Sequence, residues 1–321
     1  MAKKTTNLKQ KKETLKGKRW AAFSVILALL VILGFVFSGV FVHPQTKFPL
    51  TASIIDQLGA DFPDPSFVSN VTSTLQNHGF TVSYYNQSLS VDFFRRLADS
   101  NYGLIILRVH SALRSDSSTV DLFTSERYDP SSEKYASELD QELVTVAEFL
   151  YKPGEKYYAL SSLFMENLAG HFPSSIVIAM GCQSLKHGCE QMAQAFIDRG
   201  AKAYIGWTDI VMPDDTDHET INLLTALLNE NASVVDAVAS TKPHLYRGYA
   251  SPDNDTIIQV ESQMSFYPGS NWNLTISQLA AQPKASLASM ALNSMVVFFT
   301  GVIPNRPRAL RRLHRNAWLG N

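Results

Sequence analysis

The stretch SSIVIAMGCQSLKHGCEQMAQAFIDRGAKAYIGW, residues 174–207, decides the fold. It begins with an uninterrupted apolar run, which is typical of a strand buried on both faces of a parallel sheet. A helix is predicted next, because Met192 and Phe196 recur at helical spacing and Gly200 suits its C-terminal end. A second apolar run, AKAYIGW (201–207), follows the helix. This order predicts two parallel strands joined by a helix.

The same alternation of apolar runs and helical patterns extends over residues 48–242. It predicts one α/β domain, with a mainly parallel sheet flanked by helices. An insertion of about fifty residues that precedes residues 174–207 is rich in Ser, Glu and Tyr. We expect it to form a hairpin and an irregular lobe. Thr216 and Glu219 predict a capping box at the start of a later helix. Residues 243–284 are interpreted as an irregular extension or spacer. Further strands are predicted at 51–55, 80–85 and 102–109, and further helices from 66, over 91–98 and over 233–241.

Charge is unevenly distributed along the chain, although the formal net charge is only −1. The two end segments, residues 1–19 and 304–321, hold 13 of the 28 Lys and Arg residues and one of the 29 Asp and Glu residues. The body between them is therefore acidic. This distribution argues against nucleic acid as a partner, because a nucleic-acid-binding domain carries its basic surface on the fold itself. Two cysteines also exclude a disulfide-rich scaffold.

An uncharged apolar run, WAAFSVILALLVILGFVFSGVFV at residues 20–42, follows the basic N-terminal tail. Its 23 residues suffice to cross a hydrocarbon core of about 30 Å. A cleaved signal peptide fits less well, because the run is long and no small-x-small site follows it. We expect an uncleaved transmembrane signal anchor in the cell membrane. The positive-inside rule then makes residues 1–19 cytoplasmic and the main domain extracytosolic.

The C-terminal end has two interpretations. Residues 285–303 are uncharged but contain Ser, Asn and Thr, so a second transmembrane helix and an amphipathic helix lying on the membrane fit about equally well. The basic tail at 304–321 suits a cytoplasmic flank. Asn-x-Ser/Thr glycosylation sequons, which agree with an extracytosolic body, occur at Asn70, Asn86, Asn231, Asn254 and Asn273.

Two reactive side chains follow the two most apolar strands. His110 lies in LRVHSAL after the third strand, and Cys182 lies in AMGCQS after the fourth. Sites in open parallel sheets form beyond the carboxyl ends of the strands, and neighbouring strands are about 4.8 Å apart. The two side chains are therefore expected at one edge of the sheet. A thiol and an imidazole placed there can act as nucleophile and proton-transfer partner.

At these positions the sequence resembles the caspase-like (clan CD) cysteine peptidases, especially the CHAT-type and gingipain-like members, over about residues 53–241. In that family a hydrophobic strand ends in a small residue and the catalytic cysteine. A helix ending in F-(I/L)-x-x-G-A then leads to a strand with a tryptophan near its end. Here those positions are occupied by Cys182, Phe196, Ile197, Gly200, Ala201 and Trp207. The resemblance implies a caspase-like fold, with Cys182 as nucleophile and His110 as the base or acid that serves the leaving group.

The resemblance also implies how a peptide or protein substrate would be held. Backbone N–H groups of Ser111 and Cys182 would form the oxyanion hole, although the family usually has glycine where this chain has Ser111. Asp56, at the end of the first strand, and Asp209, just past the fifth, are positioned to bind a basic P1 side chain. No metal ion or organic cofactor is expected for such acyl transfer.

Simpler interpretations exist for the same residues. Cys182 and Cys189 could form a disulfide in an oxidising compartment. Together with His187 they could bind zinc, although the spacing is unusual and a fourth ligand is missing. His110 could be a structural histidine. The acids Asp214, Asp215 and Asp217 suggest calcium less readily than charge at a helix N-terminus.

Two functions therefore follow from the sequence. The first is a membrane-anchored cysteine peptidase, favoured by the retained pair of His110 and Cys182. The second is a catalytically inactive caspase-like module that binds a peptide or protein at the cell surface, favoured by Ser111. Glu126, within the long insertion, is interpreted as a solvated loop acid.

Overall fold

The structure is a computed structural model that describes residues 47–114, 119–149, 151–251, 254–271 and 273–281. The two basic tails, the expected signal anchor and the possible second span lie outside these residues. Within the described ranges, no helix is both long and apolar enough to cross a membrane.

Strands and helices alternate along the described chain. The strands are β1 (Thr51–Asp56), β2 (Thr81–Tyr85), β3 (Leu104–Arg108), β4 (Ser111–Leu113), β5 (Val120–Arg127), β6 (Val144–Glu148), β7 (Lys156–Leu160), β8 (Ile176–Ala179), β9 (Ala203–Trp207), β10 (His244–Ser251), β11 (Asn254–Ser262) and β12 (Met264–Tyr267). The α-helices are α1 (Pro65–Asn77), α2 (Val91–Arg95), α3 (Ala136–Asp140), α4 (Ser162–Glu166), α5 (Gln191–Asp198), α6 (Pro213–Leu224), α7 (Val234–Ala239) and α8 (Ile276–Ala281).

A sheet of six described strands lies at the centre, in the order β12-β9-β8-β3-β1-β2. Neighbours from β2 to β9 pair in parallel, and only β12 runs antiparallel to its neighbour β9. The predicted α/β class with a mainly parallel sheet is confirmed. Both β3 and β8 are buried along their whole length, as their uninterrupted apolar sequences predict.

Helices cover both faces of this sheet, because alternate residues of each strand point to opposite sides. On one face, Ile105 and Leu107 of β3 belong to a core that includes Phe196 of α5. On the other face, Leu104 and Ile106 belong to a core that includes residues of α1, α6 and α7. The sheet is therefore held from both sides, and its carboxyl edge is where the chain can present polar groups.

The insertion is more regular than the sequence suggests. The expected hairpin pairing is present, since β4 pairs with β5 and β6 pairs with β7, but these strands join in an antiparallel sheet of four described strands, in the order β4-β5-β7-β6, instead of an irregular lobe. The expected spacer at 243–284 also contains regular structure, since β10 and β11 form a hairpin and β12 joins the central sheet. The pairings of β5 with β7 and of β12 with β9 join strands that are not consecutive in the chain, and short strands with weak alternation do not reveal such partners in sequence.

The predicted capping box is wrong. Helix α6 begins at Pro213, whose missing N–H costs nothing at the first helical position. The Thr216 hydroxyl instead accepts a hydrogen bond from Trp207 Nε1 (2.8 Å) and donates one to the Met180 carbonyl (3.0 Å). Glu219 is buried and accepts a hydrogen bond from the backbone N–H of residue 242 at 2.9 Å. Both side chains therefore make tertiary hydrogen bonds and do not cap the helix.

A buried ion cluster joins β1, β3 and α6. Arg108, only 1% exposed, donates from Nε and Nη2 to the two carboxylate oxygens of Asp217, both at 2.7 Å. Its Nη1 donates to Asp56 Oδ1 at 2.6 Å, and Nη2 also reaches the Phe62 carbonyl at 2.8 Å. Burial alone would lower the pKa of Arg108, but the hydrogen bonds that Arg108 donates to Asp217 and Asp56 outweigh this effect and raise that pKa. Such charges are tolerated inside a protein only when they satisfy one another.

Replacing Arg108 with methionine would leave Asp56 and Asp217 buried without a counter-charge. We expect Arg108→Met to lower the free energy of unfolding by about 3–5 kcal/mol. Urea denaturation followed by tryptophan fluorescence measures this loss. The matched control is Arg127→Met, which breaks an exposed pair with Glu155 (2.8 Å) and should cost no more than about 1 kcal/mol. Equal losses in the two variants would contradict a structural role for the cluster.

Candidate active site

His110 and Cys182 follow neighbouring strands, as expected. The parallel pairing of β3 and β8 continues past the last strand residues through a hydrogen bond from the Met180 N–H to the Leu107 carbonyl (2.9 Å). One step further, the Ser111 hydroxyl donates to the Cys182 carbonyl at 2.6 Å. The backbones around His110 and Cys182 therefore lie side by side at the carboxyl edge of the central sheet.

Gly181 makes this close approach possible. A Cβ atom at this position would meet the Ser111 hydroxyl and, at 2.5 Å, the carbonyl oxygen of Val109. Any side chain would therefore push the connection from β3 to β4 away from the cysteine loop. The close approach of these two backbone segments therefore explains why a glycine precedes Cys182.

The thiol of Cys182 is half-buried and faces the loop after β9. Its Sγ donates to the Val211 carbonyl at 3.4 Å. Burial raises the pKa of the Cys182 thiol above its ordinary value, against the smaller lowering effect of the backbone hydrogen bonds. The neutral thiol is therefore the resting form at pH 7, and a thiolate must be generated when it is needed.

The imidazole of His110 lies among aromatic rings. Its Nε2 makes a 2.7 Å hydrogen bond with the Tyr151 hydroxyl. Desolvation by these rings lowers the pKa of His110 to about 4, so the ring is neutral at pH 7. The rings that contact it, at centroid distances from 4.6 to 6.2 Å, are Phe62, Phe123, Phe149 and Tyr151.

A charged pair lies behind Tyr151. The tyrosine hydroxyl donates to Asp61 Oδ2 at 2.9 Å, and Lys152 Nζ bonds to the other oxygen of Asp61. Partial burial raises the pKa of Asp61, but the hydrogen bonds from Lys152 and Tyr151 outweigh it, and the pKa lies below its ordinary value. Asp61 is therefore a carboxylate at neutral pH.

The two candidate catalytic side chains have separate partners. The thiol of Cys182 faces Val211, and the imidazole of His110 faces Tyr151. Across the described residues, no hydrogen bond or ion pair joins the sulfur to the imidazole. A resting thiolate–imidazolium pair requires such contact. The described residues therefore show no resting ion pair between the Cys182 sulfur and the His110 imidazole.

Ser111 lies at the start of β4 and is buried. Its hydroxyl is used by the Cys182 carbonyl, so the expected oxyanion role falls to the backbone N–H groups of these two residues. That role stays a prediction. The contact between them does place both backbones at the same point of the sheet edge.

The expected role of Asp56 in binding a basic side chain meets competition inside the protein. Its side chain is 1% exposed and accepts hydrogen bonds from Arg108, from the Tyr84 hydroxyl (2.8 Å) and from the Gly59 N–H (2.7 Å). A basic substrate side chain would have to compete with Arg108 for this carboxylate, so the role stays a prediction.

Asp209 has a more accessible position beside the cysteine loop. The Gln183 N–H donates to the Asp209 carbonyl at 2.9 Å, which ties the loop after β9 to the residue following Cys182. The Asp209 carboxylate is partly exposed and pairs with Lys186 Nζ at 2.8 Å. A basic substrate side chain would have to compete with Lys186 for it, so this role stays a prediction.

The alternative chemistries have less support. Among the described residues, Cys182 and Cys189 are not joined in a disulfide, and no group of three or more His, Cys, Asp or Glu could hold a metal ion. Asp214 and Asp215 lie in the first turn of α6, as expected for acids at a helix N-terminus. Asp217 instead pairs with Arg108 inside the fold.

Glu126 is not simply a solvated loop acid. It lies in β5, one residue before the strand ends, accepts hydrogen bonds from the Val91 N–H (3.2 Å) and the Tyr135 hydroxyl (3.1 Å), and pairs with Lys134. The glycosylation sequons stay predictions. Side chains at four of them are exposed, namely Asn70, Asn86, Asn231 and Asn273, and Asn254 lies in β11.

Sequence reasoning missed two residues of this region, Asp61 and Tyr151, and misassigned a third, Asp217. One signal was available for Asp217, because a single arginine in the apolar run LIILRV requires a buried counter-charge somewhere in the fold. For Tyr151 and Asp61 the sequence carries no signal. They lie far apart in the chain and come together only through the packing of the β6–β7 loop on the turn after β1.

A cavity of about 700 Å³ lies beside the site. Ala112 and Leu113 of β4 line it, together with Phe123, which also contacts the His110 ring. Its charged lining residues are Arg114, Asp121, Glu142 and Glu148. A second cavity, of about 460 Å³, lies at the start of α1 and includes Tyr84 and Asn86.

No known family model matches this chain, and no curated protein matches it by sequence. The resemblance to caspase-like peptidases therefore rests on the sequence alone and stays a prediction.

The low pKa of His110 predicts a loss of stability in acid. Unfolding returns the imidazole to an ordinary pKa of about 6.5, so the unfolded chain binds more protons between roughly pH 6.5 and 4. Stability should therefore fall as pH decreases through this window. At pH 4.5 the cost attributable to His110 is about 3 kcal/mol. Urea denaturation at pH 7 and pH 4.5 should show a smaller loss for His110→Gln than for the wild type, and equal losses would contradict the prediction.

Proposed function

We propose that this chain is a caspase-like cysteine peptidase, with Cys182 as nucleophile and His110 as the group that serves the leaving amine. The observation that carries the proposal is the meeting of the two residues at the carboxyl edge of adjacent parallel strands, held by the hydrogen bond from Ser111 to the Cys182 carbonyl. Sites of open α/β sheets form at this edge. The residues that carry the family resemblance lie on the strands and helix that build it.

The reaction would proceed by acyl transfer. The proton of the Cys182 thiol passes to neutral His110 as the sulfur attacks the peptide carbonyl carbon. The carbonyl oxygen, now negative, accepts hydrogen bonds from backbone N–H groups of Ser111 and Cys182. The C–N bond breaks, His110 returns the proton to the leaving amine, and a thioester remains on Cys182. Water then hydrolyses the thioester, which releases a carboxylic acid and restores the thiol.

A neutral thiol and a neutral imidazole at rest are compatible with these reaction steps. Both the raised pKa of Cys182 and the lowered pKa of His110 disfavour a charged pair before substrate binds. A bound substrate supplies the carbonyl carbon that captures the thiolate as it forms. The cavity beside β4 offers space for the peptide chain next to the site, with Ala112 and Leu113 on its wall.

The second candidate is a catalytically inactive module that binds a peptide or partner protein. It is favoured by one specific observation, which is that the thiol and the imidazole each have their own partner, Val211 and Tyr151. In that case the cavity beside β4 would bind a peptide without cleaving it. The two proposals share the fold and differ only in whether Cys182 reacts.

Labelling with an electrophilic peptide, such as a peptidyl acyloxymethyl ketone, distinguishes these proposals. The peptidase proposal predicts that the wild-type chain and Cys189→Ala are both labelled, and that Cys182→Ala is not. Cys189 is the matched control, because it is the other cysteine of the chain and lies seven residues away. Mass spectrometry of the intact chain measures the adduct. Labelling that persists in Cys182→Ala, or no labelling of the wild type, favours the inactive module.

We also propose that residues 20–42 anchor the chain in the lipid bilayer and leave the main domain extracytosolic. The basic segment before this run and the acidic body after it support that orientation. Protease added to intact cells should therefore digest the body. An antibody against residues 47–281 would detect the loss. A body that is degraded only after the cells are lysed would contradict the proposed orientation.

A further inference from the structure

Three side chains from separate segments form a line of hydrogen bonds that ends on the imidazole. Asp61 follows β1, Tyr151 lies between β6 and β7, and His110 lies between β3 and β4. The Tyr151 hydroxyl is 2.9 Å from Asp61 Oδ2 and 2.7 Å from His110 Nε2. The tyrosine ring itself is held by stacking on Phe149 at 5.4 Å and by edge contact with Phe62 at 5.2 Å.

The protons on this line can be assigned from chemistry. An ionised carboxylate only accepts hydrogen bonds, and Asp61 also binds the ammonium group of Lys152. The single hydroxyl proton of Tyr151 must therefore point to Asp61. The tyrosine oxygen can then only accept from the imidazole, so the proton of neutral His110 resides on Nε2.

We propose that Tyr151 is a positioning residue that fixes His110 in the Nε2–H tautomer, and that Asp61 acts by orienting the tyrosine proton. The inference rests on the proposed function, because it gives His110 a defined part in proton transfer. The described hydrogen bonds of the Tyr151 hydroxyl go to His110 and Asp61 and not to the Cys182 sulfur, so Tyr151 acts through the imidazole.

The fixed tautomer determines which nitrogen of His110 accepts the proton of the Cys182 thiol. With Nε2–H committed to Tyr151, the lone pair of His110 resides on Nδ1. The thiol proton of Cys182 is therefore received at Nδ1, which gives an imidazolium that retains its Nε2–H bond to Tyr151. The leaving amine then takes the Nδ1 proton, and the ring returns to the Nε2–H form. Asp61 lies close enough to favour the transient positive charge.

Nitrogen NMR of the imidazole tests the tautomer without any need for activity. The full-length chain is labelled with ¹⁵N-histidine, and the His110 signals are assigned by their absence from His110→Gln. At pH 7 we expect a protonated Nε2 and an unprotonated Nδ1 in the wild type. Tyr151→Phe keeps the ring but removes the hydroxyl, and should give a mixture of the two tautomers.

Two further variants sharpen this test. In Asp61→Asn the amide can donate to the tyrosine oxygen, so Tyr151 becomes free to donate to Nε2 and the Nδ1–H tautomer should increase. The control is Tyr157→Phe, which removes a neighbouring hydroxyl that bonds to Glu155 at 2.8 Å and should leave the His110 signals unchanged. A mixture of tautomers in the wild type, or an unchanged tautomer in Tyr151→Phe, would overturn the inference.

Kinetics separate the positioning role from the proposed function. Tyr151→Phe should lower kcat, or the first-order rate of labelling at saturating acyloxymethyl ketone, about tenfold and leave KM unchanged. A fixed tautomer in a chain whose Cys182 is never labelled would contradict the peptidase proposal and leave the Tyr151 contact standing. Full activity together with mixed tautomers would overturn the positioning role and support the peptidase.

Discussion

The buried pairing of Arg108 with Asp56 and Asp217 is the constraint on which the rest of the structure depends. It joins the ends of β1 and β3 to helix α6 at the carboxyl edge of the central sheet. Three charges removed from water are stable only together, so the position of each element is set by the other two. His110 lies two residues after Arg108 in the chain. The ion cluster therefore also fixes the backbone position from which the candidate catalytic imidazole projects.

The cluster also influences the chemistry of the edge. The positive charge of Arg108 adds to desolvation in lowering the pKa of His110, while burial raises the pKa of Cys182. Both side chains are therefore neutral at rest. A neutral thiol is oxidised far less readily than a thiolate, which matters for a cysteine proposed to act outside the cytoplasm. In the proposed mechanism, the neutral resting thiol is protected from oxidation and is activated only when a substrate is bound.

Features set by local sequence could be predicted, and features set by distant packing could not. The uninterrupted apolar run before Cys182 identified β8, and helical spacing with Gly200 identified α5, because burial and helix termination act over a few residues. The positions of His110 and Cys182 at one sheet edge followed from those strands. Thr216 was misassigned as a cap because a hydrogen bond from Trp207, nine residues earlier, takes its hydroxyl. Tyr151 reaches His110 across the fold, which no spacing in the sequence could show.

The central claim is that Cys182 forms a thioester with the acyl part of a peptide. The most direct measurement is acid quenching of the full-length chain during incubation with a peptide ester, followed by mass spectrometry of its proteolytic fragments. We expect an acyl group on the fragment that contains Cys182, and this group should disappear as free peptide acid accumulates. An unmodified Cys182 fragment at all times, with the ester either intact or hydrolysed, would contradict the central claim.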